Sequence, residues 1–237
     1  MKIALLGYGK MGKEIEKIAL SKNHTISFIA DLANKDYSFT ELKNADVAIE
    51  FSQPDAVLSN IDKCFQANLP VVVGTTGWYN EFEKIQERCL SQNQTLFYAT
   101  NFSVGVNIFF EVNKQLAKLM NPHAEYEVDM EEIHHIHKLD SPSGTGITLA
   151  NGIIENLDRK TAWTENEHAT ADEVKINAKR MGEVPGTHTV NYSSSIDKIT
   201  ITHEAKNRIG FASGAVLASE WLVGKKGVFT MKHLLNF

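Results

Sequence analysis

An apolar run that breaks into spaced glycines and passes at once into an amphipathic helix constrains this chain more than any other feature. Residues 2–7, KIALLG, read as a buried strand. GKEIEKIALSKN, residues 12–23, reads as a helix with Ile15, Ile18 and Ala19 on one face. Gly7, Gly9 and Gly12 stand between them in G-x-G-x-x-G spacing, with Tyr8, Lys10 and Met11 filling the loop. In that spacing Gly7 permits a tight turn, Gly9 lets backbone approach a pyrophosphate, and Gly12 lets the helix pack closely on the sheet. The helix start then presents unsatisfied N–H groups and a favourable dipole to a diphosphate. Asp31 ends the second apolar run, 19 residues after Gly12, where a carboxylate can accept from ribose hydroxyls. Glycines near a turn often mean only a turn, but strand, loop, helix and acid in this order favour a dinucleotide site. Leu32 stands where an arginine would receive a 2′-phosphate, so the expected cofactor is NADH or NADPH with a preference for NADH; Lys35 is a poorly placed substitute.

Further short apolar runs, 25–31, 46–51, 70–74 and 95–100, alternate with helical patterns at 54–68 and 80–92. Such alternation implies βαβ units and a parallel sheet covered on both faces. Ligands of such a sheet lie beyond the carboxyl ends of its strands. The loops GTTGW (74–78) and ATNFSVGVN (99–107) therefore put forward Gly74, Thr75, Thr76, Thr100, Asn101 and Phe102, each equally readable as ordinary turn chemistry.

After a long helix at 101–120 the pattern changes. Residues 124–136 begin by alternating, with Tyr126, Val128 and Met130 on one face and Glu127, Asp129 and Glu131 on the other. Residues 173–180, 187–193 and 197–206 alternate similarly, and 143–157 reads as a helix. The expected fold is α/β: a Rossmann-like dinucleotide-binding domain (1–103 and 214–237) plus a second α+β domain with an open mixed sheet (104–213). A last apolar helix, 210–224, carries the chain back to the first domain.

The formal net charge of −5 argues against nucleic acid as a partner. No run approaches the roughly 20 apolar residues that span a bilayer. Gly7, Gly9 and Lys10 interrupt the apolar start too early for a signal peptide. Cys64 and Cys89 sit in helical patterns and read as free thiols of a cytoplasmic protein.

The segment EIHHIHKLDSPSGTGIT, 132–148, admits three readings. A metal could use His135 and His137 with Glu131 or Asp140, but Lys138 would set a cation beside the ion; no metal is expected. The residues could equally cover a wet sheet face. An acid catalyst accounts for more of them, because histidine ionises nearest neutrality and Lys138 adds a point charge or proton relay. Pro142 then turns the chain into a helix that Ser141 or Ser143 can cap, leaving the N–H groups of Gly144 and Thr145 to hold a carboxylate.

This segment resembles the signature E-x-H-H-x-x-K-x-D-x-P-S-G-T of the 4-hydroxy-tetrahydrodipicolinate (dihydrodipicolinate) reductases of the bacterial lysine and diaminopimelate pathway. The resemblance extends to GYGKMG, VVVGTTGW, ATNFSVGVN, KRMGEVPGTHTVNY and the terminal RIGFASGAVLASEWLVGKKGVFTM. It implies His134 as proton donor or acceptor with Lys138 as its catalytic partner, and His135, Lys138, Gly144 and Thr145 on a small dicarboxylate substrate. It implies Gly7 to Gly12 on the pyrophosphate, Asp31 on the ribose, and Gly74 to Thr76 with Ala99 to Phe102 on the nicotinamide side. It further implies two domains that close over the substrate and a homotetramer assembled through the second sheet. His137 receives no task. The glycine loop is one residue shorter than the G-x-x-G-x-M-G of many members, and the basic residue after Asp31 is missing.

Overall fold

The computed structural model describes every residue except Lys35 and Arg208, so the Lys35 reading lies outside the described residues. The chain divides into two compact units, Met1–Val104 with Ile209–Phe237, and Gly105–Arg208.

The first unit begins β1 (Lys2–Leu6), α1 (Lys10–Ser21), β2 (Thr25–Ala30), β3 (Val47–Glu50), α2 (Val57–Gln66), β4 (Val71–Val73), α3 (Phe82–Ser91) and β5 (Thr95–Tyr98). Strands β1, β3 and β4 are apolar almost without interruption because helices cover both faces of a parallel sheet. Alternate residues serve alternate sides. Ala4, Leu6, Ala48 and Val71 face a core with Ile61, Cys64 and Cys89, and Ile3, Leu5, Ile49 and Val72 face one with Ile15 and Ala19. The Leu, Ile and Val side chains among them each contribute roughly 1.5–3 kcal/mol on leaving water. Both cysteines are free and buried.

The second unit holds α4 (Val104–Met120) from its second residue on, β6 (Glu127–His134), α5 (Gly144–Ile154), β7 (Ala162–Thr164), β8 (Glu173–Arg180), β9 (Thr187–Ser193) and β10 (Lys198–Glu204). Helix α4 begins at Val104 rather than at residue 101 because the Asn101 side chain accepts from the Ser103 N–H (2.9 Å), a turn that competes with helix. The sheet order is β10-β9-β6-β8-β7. β10, β9 and β6 pair antiparallel, whereas β6, β8 and β7 pair parallel, so the sheet is mixed as expected. Phe109 and Ala117 of α4 with Leu149, Ala150 and Ile153 of α5 cover Val128, Met130, Val174, Ile176, Val190 and Tyr192.

The chain then returns through α6 (Ile209–Leu222), β11 (Gly227–Phe229) and α7 (Met231–Leu235). The first sheet is wholly parallel, in the order β11-β5-β4-β3-β1-β2. Ala212, Ala215, Val216, Ala218 and Leu222 of α6 are fully covered. β7, β11 and α7 were not expected, since three to five residues are too few to display a period.

Candidate active site

The first unit's candidate cofactor residues gather on the loops that follow β1, β3, β4 and β5. Gly7 has φ +102°, and a Cβ there would collide with the Phe51 carbonyl. A Cβ on buried Gly12 would strike the Gly7 carbonyl, which explains the third glycine of the motif. Gly9 differs: it is the N-cap of α1 in extended backbone, and a Cβ there would meet nothing within 4 Å. Open space over a helix start is what a pyrophosphate needs. Tyr8 donates its hydroxyl to Glu16, Lys10 is exposed, and Met11 packs against the core. The Asp31 carboxylate accepts from the N–H groups of Ala33 (2.8 Å) and Asn34 (3.2 Å), so one of its oxygens also holds its own turn.

The other loops meet at Phe51 and Ser52, which sequence reading treated only as a strand end. The Phe51 ring occupies the space a Cβ on Gly74 would need and lies 5.6 Å from the ring of Phe102. Phe102 is 2% exposed and belongs to the core, as does Ala99. The Thr75 hydroxyl accepts from the Ser52 N–H (2.9 Å), and its carbonyl accepts from the Trp78 indole (2.8 Å). Thr76 and Thr100 are exposed, whereas Asn101 is buried. Beneath them Glu50, fully buried, accepts from the Ser52 N–H (3.2 Å) and Asn60 (3.1 Å). Burial pushes the Glu50 carboxyl above its ordinary value, against hydrogen bonding from Ser52, Thr75 and Asn60. The signal for it was an acid closing an otherwise apolar strand.

In the second unit the site is built at the end of β6. Successive residues alternate, so Val128, Met130, Glu132 and His134 share the buried face. Continuing the alternation past Met130 would have exposed Glu132 as an acid at a core position. In the sequence it stands out only as the first letter of the motif. Strand register sets His188 of β9 opposite Glu132. The Glu132 carboxylate accepts from the Ser143 N–H (2.9 and 3.1 Å) and from the Ser143 hydroxyl. His134 Nδ1 and Arg180 Nη1 lie 3.6 and 3.5 Å from Oε1, and His188 Nε2 lies 3.6 Å from Oε2. The imidazoles of His134 and His188 stand edge to face, 5.0 Å apart. Burial alone would raise the Glu132 carboxyl; the neighbouring His134 and His188 and the Ser143 donors outweigh it and hold Glu132 well below the usual carboxylate range.

Ser143 is the N-cap of α5, its hydroxyl accepting from the Gly146 N–H (3.0 Å). Gly144 and Thr145 form the first turn, and among the described residues their N–H groups take no hydrogen-bond partner. A Cβ on Gly144 would meet nothing within 4 Å, so the approach to those donors is open. The Lys138 ammonium binds both oxygens of Asp140 (2.8 and 2.9 Å), which draws the Asp140 carboxyl down. The turn carrying them is tied by Arg180, which donates to the carbonyl of Asp140 (2.6 Å). His135 is half-buried beside this turn. His137 is exposed, 3.3 Å from Glu183. The structure thus brings His134, Lys138, Gly144 and Thr145 onto one strand end, turn and helix start.

Glu132, His134 and His188 also place one potential metal ligand each within 4.8 Å of one another. Ser143 donates twice into that carboxylate and Arg180 faces it, so the donor set is that of an ion-pair network. The metal pair considered from sequence, His135 and His137, has its rings 6.1 Å apart.

Burial lowers His188 below its ordinary value of 6.5, with the charge of His134 acting in the same sense and Glu132 against it. A depressed histidine favours the folded state while neutral, so its contribution is complete above about pH 6.5 and is lost as pH falls. His203 is lowered in the same direction, again first by burial. Melting temperature is therefore expected to decline between pH 7.5 and 5.5, and His188→Asn to flatten part of that slope. An unchanged slope in the variant, followed by thermal melts across this range, would rule out His188 as a source.

The amino-terminal part matches the family description "Dihydrodipicolinate reductase, N-terminus" over residues 1–102, and the rest matches "Dihydrodipicolinate reductase, C-terminus" over residues 105–235. The chain is 52% identical to the 4-hydroxy-tetrahydrodipicolinate reductase of Christiangramia forsetii, covering 100% of this chain and 98% of that one. It is 35% identical to the enzyme of the same name from Staphylococcus saprophyticus, covering 99% and 100%. Among solved structures, the dipicolinate-bound dihydrodipicolinate reductase from Paenisporosarcina sp. TG-14 has a similar fold, with a TM-score of 0.76 at 22% identity over 97% of each chain.

Proposed function

The chain belongs to the dihydrodipicolinate reductase family, and from that premise we propose which of its residues perform the reaction. The protein is an NAD(P)H-dependent oxidoreductase that reduces 4-hydroxy-tetrahydrodipicolinate to tetrahydrodipicolinate, with loss of water, in lysine and diaminopimelate biosynthesis. His134 delivers the proton that the reduced substrate needs, and Lys138 supplies positive charge beside it. Gly144 and Thr145 take a carboxylate on their N–H groups, and His135 and Lys138 hold the rest of the dicarboxylate. The observation that carries this reading is the bond from Ser143 N–H to Glu132. It fixes the strand end bearing His134 to the helix start that receives the anion. Lys138 meets its substrate by sharing or leaving Asp140.

The open approach over Gly9 fits a dinucleotide. Gly7, Tyr8, Gly9, Lys10, Met11 and Gly12 would hold its pyrophosphate and Asp31 a ribose. Gly74, Thr75, Thr76, Ala99, Thr100, Asn101 and Phe102 would line the nicotinamide side, Phe102 and Ala99 as support from the core. When bound, the reduced nicotinamide would supply a hydride to the conjugated C=C–C=N system that forms once the substrate's 4-hydroxyl has left as water. Substrate-dependent loss of reduced-nicotinamide absorbance, in an assay coupled to synthesis of the substrate, tests the reading; no oxidation would defeat it.

The cofactor preference follows from Asp31 and from Leu32, which is 83% exposed and carries no charge for a 2′-phosphate. KM for NADH is expected below that for NADPH, and Leu32→Arg should improve kcat/KM with NADPH by about tenfold, the equivalent of one charge-assisted contact. A wild-type preference for NADPH would reverse this assignment.

We also read the protein as a cytoplasmic homotetramer assembled through the second sheet. Support comes from edge strand β10, whose Ile199 is 38% exposed, and from neighbouring Ile196 at 87%. No helix among the described residues is long and apolar enough to cross a membrane. Light scattering tests the assembly, and a monomeric mass would refute it.

A further inference from the structure

Two of the buried groups around His134 have no part in the reaction as described, yet the fold goes to some length to place them. Glu132 is wholly inaccessible, and His188 is 4% exposed. A Cβ on Gly146 would stand 2.5 Å from Glu132 Oε2, so α5 carries a glycine in its first turn where the carboxylate passes. Gly186, before β9, does the same for His134: a Cβ there would come within 3.1 Å of Nε2. His134 Nδ1 is completely covered and makes no hydrogen bond among the described residues; Glu132 Oε1 lies 3.6 Å from it. The ring is therefore oriented, with one nitrogen sealed against an anion and the other directed past a residue that has no side chain.

We propose that Glu132 and His188 are positioning residues that act through His134. The buried carboxylate holds the His134 ring with Nδ1 inward and stabilises its protonated form, while His188, hydrogen-bonded to the Ser143 hydroxyl (3.2 Å) and 3.6 Å from the other carboxylate oxygen, limits how strongly that form is held. This rests on the reading of His134 as the proton donor. One carboxylate faces two imidazoles, and repulsion between neighbouring imidazolium charges allows it to support one of them well. Burial disfavours charge on His188. The other charged groups facing this cluster are Arg180 of β8, Lys138 and Asp140 of the following turn, and His203 of β10. Arg180 offsets part of the Glu132 charge but makes its closer bonds to the carbonyls of Lys179 (2.9 Å) and Asp140 (2.6 Å). The arrangement has the logic of a carboxylate that fixes the tautomer of a catalytic imidazole, and the present separation is one that can tighten when substrate is bound.

The test is the pH dependence of kcat in single and double variants of the full-length enzyme. Glu132→Gln keeps an acceptor for Ser143 but removes the charge. It should lower kcat by about 10- to 100-fold, as loss of an orienting partner does, with substrate KM within about twofold. It should also move the pH limb of the proton donor downward by about one unit. His188→Asn should move that limb upward, because Glu132 then serves His134 alone. Combined with His134→Gln, Glu132→Gln should cost little more than His134→Gln alone. Unmoved limbs in both variants, or additive losses in the double variant, would reduce Glu132 and His188 to structural roles and overturn the proposal. If Glu132→Gln fails to fold, the direction of the His188→Asn shift decides alone. A different result, wild-type kcat in His134→Gln itself, would instead unseat His134 as the donor, so the two failures are distinguishable.

Discussion

Replacing His134 with glutamine is expected to lower kcat by about 10²–10⁴-fold, the usual worth of general acid–base catalysis, while substrate KM changes little. Glutamine is close to histidine in size and still places a donor at the end of β6. The residue is 7% exposed, so a crude truncation would confuse lost chemistry with a cavity. What glutamine lacks is a proton it can release near neutrality. The loss should therefore fall on the chemical step and remain when the assay is run at saturating substrate. Thermal melts would confirm an intact fold. A variant with kcat near wild type and a raised KM would make His134 a binding residue. The contrast with Lys138→Met is useful here. Lys138 is assigned both charge and substrate contact, so that change should raise KM as well as lower kcat.

Gly7→Ala and Gly9→Ala are expected to fail in opposite ways, although both sit in one six-residue loop. Gly7 has φ +102°, where a side chain costs roughly 1–3 kcal/mol of strain. Its Cβ would also press on the Phe51 backbone, a collision worth about 1–3 kcal/mol that no rotamer change can relieve. A combined loss of about 3 kcal/mol should depress the melting temperature of the dinucleotide-side unit by about 6–12 °C. Gly9 is in extended backbone that any residue adopts, and its Cβ would meet open space. Gly9→Ala should leave the melting temperature within about 2 °C, yet weaken the cofactor by about tenfold or more, because the methyl stands where a pyrophosphate must approach. Calorimetry and nicotinamide titration of the two proteins measure this directly. Equal cofactor affinity in Gly9→Ala and wild type would mean the loop does not hold the dinucleotide.

These expectations also mark what was legible in the residues. The glycine loop could be read because its chemistry is local: three positions within one turn, each with its own steric reason. His134 and Lys138, whose roles are proposed above, could be singled out because they lie in one short segment that matches a family signature. Glu132 was in plain view, but an acid next to Glu131 invites the reading of a wet strand, and only its parity with Met130 betrays the buried face. His188 could not be found in this way. Its place opposite Glu132 depends on the register between β6 and β9, which no pattern within either strand states. Glu50 and Phe51 were missed for a related reason, since their work is to tie together loops distant in sequence. β11 escaped notice because three residues cannot show alternation, and its strand character is conferred by pairing with β5.

That edge strand has a consequence for how the polypeptide comes into being. Synthesis runs from the amino terminus, and domains generally fold as units as they emerge. The second unit is one unbroken segment, Gly105–Arg208, and has all of its own strands once residue 204 has been added. The dinucleotide-side unit does not. Through more than a hundred further residues its sheet ends at β5, with no β11 to pair and no α6 to cover Phe97 and Ile3. The unit that begins first is thus completed last, and the newborn chain carries an open sheet edge and a bare apolar face while its neighbour is already finished. A chain ending before residue 209 would contain every strand of the second unit but leave the first with a bare β5 edge and no α6 over its apolar face.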